Sequence, residues 1–277
     1  MPAGREEFKP DAPNAPGPGL RLTASCGAPT IGDVRRLIPV MLILLTAGPA
    51  WAQSPLVAEA RAWATRYHED PARIDKLRAE LTEAVKTDSH VDTLLTLAQV
   101  CFIWGDIRAR TPEEKLASYD QGRQAARRVV ELAPRSALAH FWYGTTTGRW
   151  GQTKGVMRSL FLLPTVKHEI EAVFELDPSF APGYSLAGNV YYEVPAMLGG
   201  DLDKAEQMFR KGLALDPKFT GMRVGLAKTL IRKGQRAEAR RELWAVLDEQ
   251  APTNRADWIM KDTKQARELL ESLKAKP

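Results

Sequence analysis

Three short segments of the chain repeat one another: Glu131-Leu-Ala-Pro134, Glu175-Leu-Asp-Pro178 and Ala214-Leu-Asp-Pro217. Each closes an amphipathic run, and another such run begins about three residues further on. Proline has no amide proton and biases the residue before it away from helical geometry, so each site ends one helix and lets the next begin. Apolar residues recur at spacings of three and four in Ile74, Leu77, Leu81 and Val85, in Ala125, Ala126, Val129 and Val130, and in Ala205, Met208, Phe209 and Leu213. Asp70 before Pro71 supplies a cap and a first-turn proline at one helix start. No stretch alternates with period two for long enough to form a strand, so the chain is expected to be all-α.

The three prolines stand 44 (134 to 178) and 39 (178 to 217) residues apart. A helix-turn-helix unit of about 34 residues, carrying insertions of roughly ten and five, accounts for both separations. After Pro178, Tyr184, Gly188 and Tyr191 occupy large, small and aromatic positions, and Ala205, Phe209, Gly212 and Pro217 occupy small, aromatic, small and proline positions. Small residues let paired helices approach while an aromatic fills the groove beside them. This pattern resembles the tetratricopeptide repeat. Ala227, Leu230, Gly234, Ala239 and Leu243 continue it, Tyr143-Gly144 marks an earlier unit, and one more runs from about Val91 to Pro134. The expected architecture is a right-handed superhelix, an α-solenoid of about four degenerate tetratricopeptide helix pairs with insertions and capping helices. Residues 53–89 form N-terminal caps and 90–277 the repeat domain. A last helix holding Ala266, Leu269, Leu270 and Leu273 solvates the open end.

The start of the chain reads as an address. Residues 2–33 are rich in Pro, Gly and Ala and form a disordered or untranslated leader, with translation expected to begin near Val34. Arg35 and Arg36, the apolar run from Leu37 to Ala47 and the Ala50-Trp51-Ala52 site then compose a signal peptide over 34–52. The apolar run is short for a bilayer span. The expected mature chain begins after Ala52, is periplasmic or secreted, and keeps Cys101 as its one cysteine. A net charge of +5 over 277 residues is too dilute to suggest nucleic acid.

Further segments narrow the resemblance. Phe141-Trp-Tyr-Gly144, Gly148-Arg-Trp-Gly151, Lys154-Gly155 and Leu160-Phe-Leu-Leu-Pro164 form one block. Tyr191-Tyr-Glu-Val-Pro195, Leu198-Gly-Gly-Asp201 and Ala205 form another. Both are similar to the T component of tripartite ATP-independent periplasmic (TRAP) transporters and, more distantly, to the regulator of microtubule dynamics family. The first resemblance implies a helical body with a ligand-sized channel or groove that associates with a solute-binding subunit. That family is typically lipid-anchored. Here no cysteine follows the apolar run, so membrane association is expected only through a partner.

Chemistry-bearing motifs are sparse. His68, His90, His140 and His168 are scattered, and His168-Glu169 has no second histidine at zinc-protease spacing. Gly151-Gln-Thr-Lys-Gly155 lacks the ending of a phosphate loop, and no nucleophile elbow is present. Cys101 lies in an apolar helical run and reads as a buried small hydrophobe. No catalytic residue, metal ligand or cofactor is assigned.

The insertions are the better candidates, because loops that interrupt a repeat gather on one face. In Gly148–Pro164, the cations Arg149, Lys154 and Arg158 and the aromatic Trp150 adjoin Leu160, Phe161, Leu162 and Leu163. Such a mixture suits a carboxylate-bearing ligand or an acidic partner; alternatively the apolar half fills a groove and the basic half is solvated. Glu193–Gly200 follows Asn189, Tyr191 and Tyr192. Tyr191 reads as core, and Gly199-Gly200-Asp201 as a turn and cap. The candidate ligand- or partner-binding set is His140, Tyr143, Arg149, Trp150, Lys154, Arg158, Asn189, Tyr192 and Glu193. The expected function is a non-enzymatic scaffold or ligand-channelling accessory of a TRAP-type uptake system, with an envelope protein-interaction adaptor as the alternative. Expected partners are a solute-binding protein or other envelope protein and a small organic-acid or apolar ligand.

Overall fold

The computed structural model describes residues 54–274. The leader, the signal sequence, Cys26 and the cleavage site at Ala52 lie outside them. Two helices, α1 (Pro55–Trp63) and α2 (Ala72–Thr87), precede four helix pairs. The pairs are α3 (Val91–Ile107) with α4 (Pro112–Leu132), α5 (Ala137–Lys154) with α6 (Val156–Leu176), α7 (Ala181–Glu193) with α8 (Leu202–Leu215), and α9 (Thr220–Arg232) with α10 (Arg236–Leu247). Each helix packs on its partner, and the first helices of successive pairs also touch: α3 with α5, α5 with α7, α7 with α9. That double neighbour rule is an α-solenoid, and no strand occurs among the described residues.

Local chemistry sets the helix ends. Ala133, Asp177 and Asp216, each just before a repeated proline, take ψ of 68°, 90° and 88° and close α4, α6 and α8. Thr111 and Glu114 form a reciprocal capping box ahead of α4, and Asp201 accepts from the amides of Asp203 and Lys204 to start α8. Asp70 caps α2 by accepting from the Ala72 amide at 3.0 Å.

Packing follows the small-and-aromatic pattern. Phe209 is fully buried, and a methyl group added to either Gly188 or Gly225 would lie 2.7 Å from its ring. The ring therefore sits between α7 and α9, where only hydrogen-sized side chains leave room. One core cluster joins α1 to α5 through Ile74, Leu77, Leu81, Val100 and Val129, and a second joins α8 to the last helix. Cys101 is fully buried in the first, and burial pushes its thiol up to about 11, which leaves it inert near neutrality.

One expectation is corrected. The Gly148–Pro164 insertion is not a loop: it lengthens α5 and α6 into an antiparallel pair joined by the single residue Gly155. Gly155 has φ 108° and ψ 171°, a conformation essentially closed to side chains, so one residue suffices to reverse the chain. Gly151 lets the extended helices approach closely, since a methyl there would stand 3.2 Å from the Ser159 Cα. Pro164 is accommodated inside α6 on an exposed side.

At the end of the stack a terminal helical run covers the last core. Residues Arg255–Asp257 (α11), the π turn Trp258–Asp262 and α12 (Thr263–Lys274) form one continuous helical run. Ala266, Leu270 and Leu273 pack into the last core. The Ala256 amide meanwhile donates to the Thr65 carbonyl at 3.1 Å, beside the connection between α1 and α2. First and last elements of the solenoid are thus in contact.

Candidate functional site

Two places on the solenoid collect charged or exposed side chains. The first is centred on Asp106, near the end of α3, whose side chain is only 9% exposed. The Arg149 guanidinium of α5 pairs with it, the Tyr119 hydroxyl of α4 donates to it at 2.6 Å, and Lys261 of the π turn reaches it at 3.4 Å. Lys261 also pairs with Asp257 at 2.5 Å, and the Tyr67 hydroxyl donates to the same Asp257. Burial works against charge on Asp106, but Arg149 and Lys261 outweigh it and hold the carboxyl below the usual range. Burial, then the neighbouring Asp106, raises the Tyr119 hydroxyl, which leaves it a donor rather than a phenolate. This network ties the last helical run to α3, α4 and α5, with each charge answered by another. Its arrangement suits holding the ring of helices together.

The second place is a groove of about 350 Å³ between the end of α5, the first half of α6 and the end of α7. Leu160, Leu163, Val166, Val190 and Val194 line it, with Gly151 at its floor. Val156 of the lining is 70% exposed; Met157, Phe161 and Met197, exposed to 81%, 78% and 89%, are not among the lining residues. Glu193 is the one acid of its lining. Separately, Trp150 carries Arg123 of α4, Lys154 and Arg158 against its ring at 4.8, 5.8 and 5.7 Å. A wider hollow at α2, α3 and α4 is lined by groups that satisfy one another, including Arg108 on Asp75 and Arg78 on Gln121.

The structure divides the residues singled out from the sequence. Glu193 lines the groove, whereas Trp150, Lys154 and Arg158 are not in its lining and gather with Arg123 of α4. Arg149 is turned away toward Asp106, because successive helical residues point about 100° apart. His140 is buried between α5 and α6, its Nδ1 2.6 Å from the Glu169 carboxylate and its Nε2 2.9 Å from the Pro134 carbonyl. Tyr143 packs against the first core. Asn189 donates to its own helix at the Ser185 carbonyl, and Tyr192 lies under Arg232 at 4.7 Å. Asp106, Lys261, Asp257 and Tyr67 were not singled out; the bonded pair Tyr67 and Asp257 alone is 190 positions apart, and no local pattern joins the four. Met157 and Met197 were also missed, since their exposure depends on how α6 and the 194–198 turn face solvent.

The family described as "Regulator of microtubule dynamics protein 1-3" matches residues 56–198, more than half of the chain. The chain belongs to this family. It was the more distant of the two resemblances read from the sequence. A tetratricopeptide repeat family matches residues 196–258, from the end of the first match through α8, α9 and α10. A bovine (Bos taurus) relative, "Regulator of microtubule dynamics protein 1", is 24% identical over 168 residues, covering 55% of this chain and 53% of its own. The chain thus spans about half the length of that curated relative. The crystal structure of a thermophilic tetratricopeptide protein from Thermus thermophilus aligns at a TM-score of 0.57 and 20% identity. The alignment covers 77% of this chain and 99% of that one. This family member therefore has a tetratricopeptide-type helical fold, the kind that serves as a protein-interaction scaffold.

Proposed function

We propose that this protein is an exported, non-enzymatic docking adaptor that receives a partner protein on the groove between α5, α6 and α7. The observation that carries the reading is an open recess lined by Leu160, Leu163, Val166, Val190 and Val194, with Val156 at its lining left 70% exposed. Large apolar side chains left in water in one patch mark an interaction surface, whereas scattered ones do not. A photo-crosslinker at Val156 in the native host should trap a defined partner, while one at Leu132, on α4, should not. Equal labelling from both positions, or none from Val156, would remove the reading. Export rests on residues 34–52 alone. N-terminal sequencing of the mature chain should begin at Gln53, and an intact leader would count against it.

The second reading is a ligand-channelling accessory of a TRAP-type uptake system. The two sequence blocks similar to the T component support it, as does a recess that could seat a small apolar acid. The bridging of α3 and the last helical run by Asp106 and Lys261 weighs against a passage through the solenoid. Recovery of a solute-binding subunit with the native protein would favour this reading over the first.

A further inference from the structure

We propose that the junction between the last helical run and the connection after α1 is a latch, closed in acid and loosened toward neutral pH, with the Asp262 carboxyl as its titrating group. Closed, it holds Lys261 over the Phe102 ring of α3, which packs on Trp142 of α5. Open, it leaves that aromatic pair to solvent. The latch lies apart from the groove between α5, α6 and α7.

The last run belongs firmly to the final helix pairs. The Thr253 hydroxyl donates to Asp216 at 2.8 Å, the Trp258 indole donates to the Val246 carbonyl at 2.7 Å, and Ala266, Leu270 and Leu273 pack into the last core. Its hold on the other end of the solenoid is slighter and mostly polar. The Ala256 amide donates to the Thr65 carbonyl at 3.1 Å, the Asn254 side-chain amide to the Ala64 carbonyl at 3.3 Å, and the Tyr67 hydroxyl to Asp257 at 2.5 Å. Ala256 is the one buried hydrophobe that the run adds to the first core. Pairs of a solenoid contact only their neighbours, so small rotations spread over four pairs part the two ends without unpacking any helix. Contacts that are few and polar open at free energies well below that of global unfolding.

Asp262 sits at this junction. It is 6% exposed and accepts from the Thr220 hydroxyl of α9 at 2.7 Å. Asp257 and Lys261 of its own run and Lys228 of α9 act on it, and its charge in turn acts on the Tyr67 hydroxyl of the first connection. Lys261 is shared between Asp257 at 2.5 Å and Asp106 at 3.4 Å, and Lys228 donates to Gln265 at 2.8 Å, so both cations are directed elsewhere. Burial, then Asp257, holds the Asp262 carboxyl up at about 6 in the closed form, against the Thr220 hydrogen bond. Parting the ends admits water on the Tyr67 side and returns the carboxyl toward its ordinary 3.8. The closed form therefore keeps a proton that the open form has released. Closure is strongest below 3.8 and weakens as pH rises through about 6. Asp106, on the far side of Lys261, is depressed instead, so its contribution is already in place above 3.8 and does not move in this window.

Hydrogen exchange of the full chain, corrected for the intrinsic rate at each pH, reads the opening through the Ala256 amide. Its protection should fall about twentyfold between pH 4.5 and pH 7.5. That exchange should depend little on low urea, whereas the slowest amides of α3 stay better protected and respond steeply to urea. Asp262→Asn keeps an acceptor for Thr220 but has no proton to lose. It should show at pH 7.5 the protection that the native chain shows at pH 4.5. Tyr67→Phe should lower protection at both pH values and preserve their ratio. His68→Gln, at the histidine beside Tyr67, should leave the pH response intact. An Ala256 amide that follows α3 in both rate and urea dependence would mean that Asp262 acts on global stability alone, and would overturn the latch. A pH response that survives Asp262→Asn, or that vanishes with His68→Gln, would overturn it as well.

Discussion

The Tyr67 hydroxyl donates to the Asp257 carboxylate at 2.5 Å across 190 positions of chain, joining the connection after α1 to the last helical run. Tyr67 is 1% exposed, so its hydroxyl has no water to fall back on. Burial, with Asp257 beside it, raises the hydroxyl far above its ordinary value, and it stays protonated throughout the neutral range. Tyr67→Phe should cost about 1.5–2 kcal/mol, the worth of a hydrogen bond to a charged group. Urea denaturation measures the loss. Hydrogen exchange at residues 254–262 should rise more than exchange in α3 or α4; a uniform change would mean that the bond does not specifically hold the closure.

Asp106 answers two cations, and removing it leaves both without their shared carboxylate. Asp106→Ala should cost about 2–3 kcal/mol, less than a fully buried pair because Arg149 remains partly in water. Lys261→Met should cost less, since Asp106 keeps Arg149 and Tyr119. The order of the two denaturant midpoints is the decisive reading.

The two buried aspartates respond to pH in opposite directions. The Asp106 carboxyl is depressed in the folded chain, so its contribution is present above the ordinary carboxylate value and is lost as pH falls through the folded one. Asp262 is pushed up to about 6, first by burial and then by Asp257, against the Thr220 hydroxyl that donates to it at 2.7 Å. Folded Asp262 keeps its proton where the unfolded chain has released it. Its contribution is therefore largest below the ordinary value of 3.8 and declines as pH rises through about 6. Asp262→Asn should stabilise the protein by about 2 kcal/mol at pH 7.5 and have little effect at pH 4. Thermal melts across this range test the sign.

Phe209 fills the space that Gly188 and Gly225 leave. Gly188→Ala should destabilise by about 1–3 kcal/mol through overpacking, although alanine is the better helix former. Phe209→Ala should cost about 3–5 kcal/mol by leaving a cavity. Combining Gly188→Ala with Phe209→Leu should be less harmful than the two effects added, because each relieves the other; strict additivity in denaturant titrations would refute the contact.

Helix existence was readable wherever one local cause dominated. The residue before each repeated proline had to leave helical geometry, and Ala133, Asp177 and Asp216 do so. Gly199 and Asp201 were legible as turn and cap for the same reason, and Gly199 indeed adopts φ 95°. The Gly148–Pro164 segment was misread as a loop because its length was compared with an average repeat. What decided its form was the close approach allowed by Gly151 and the one-residue reversal at Gly155. At the candidate site, composition marked a segment but not which of its faces point where. Arg149 and Trp150 are neighbours in sequence, yet one enters the Asp106 network and the other stacks with Arg123 of α4.

The sequence by itself determined the helical class, the pairing of helices and the glycine-and-aromatic packing of Gly188, Phe209 and Gly212. Those features arise from contacts within or between adjacent helices, where period and residue size carry the information. Tertiary structure alone decided that Tyr67 meets Asp257, that Lys261 meets Asp106, and that Met157, Phe161 and Met197 stay in water. Each of these depends on the accumulated rotation of several helix pairs, a sum of small packing angles that no local pattern records.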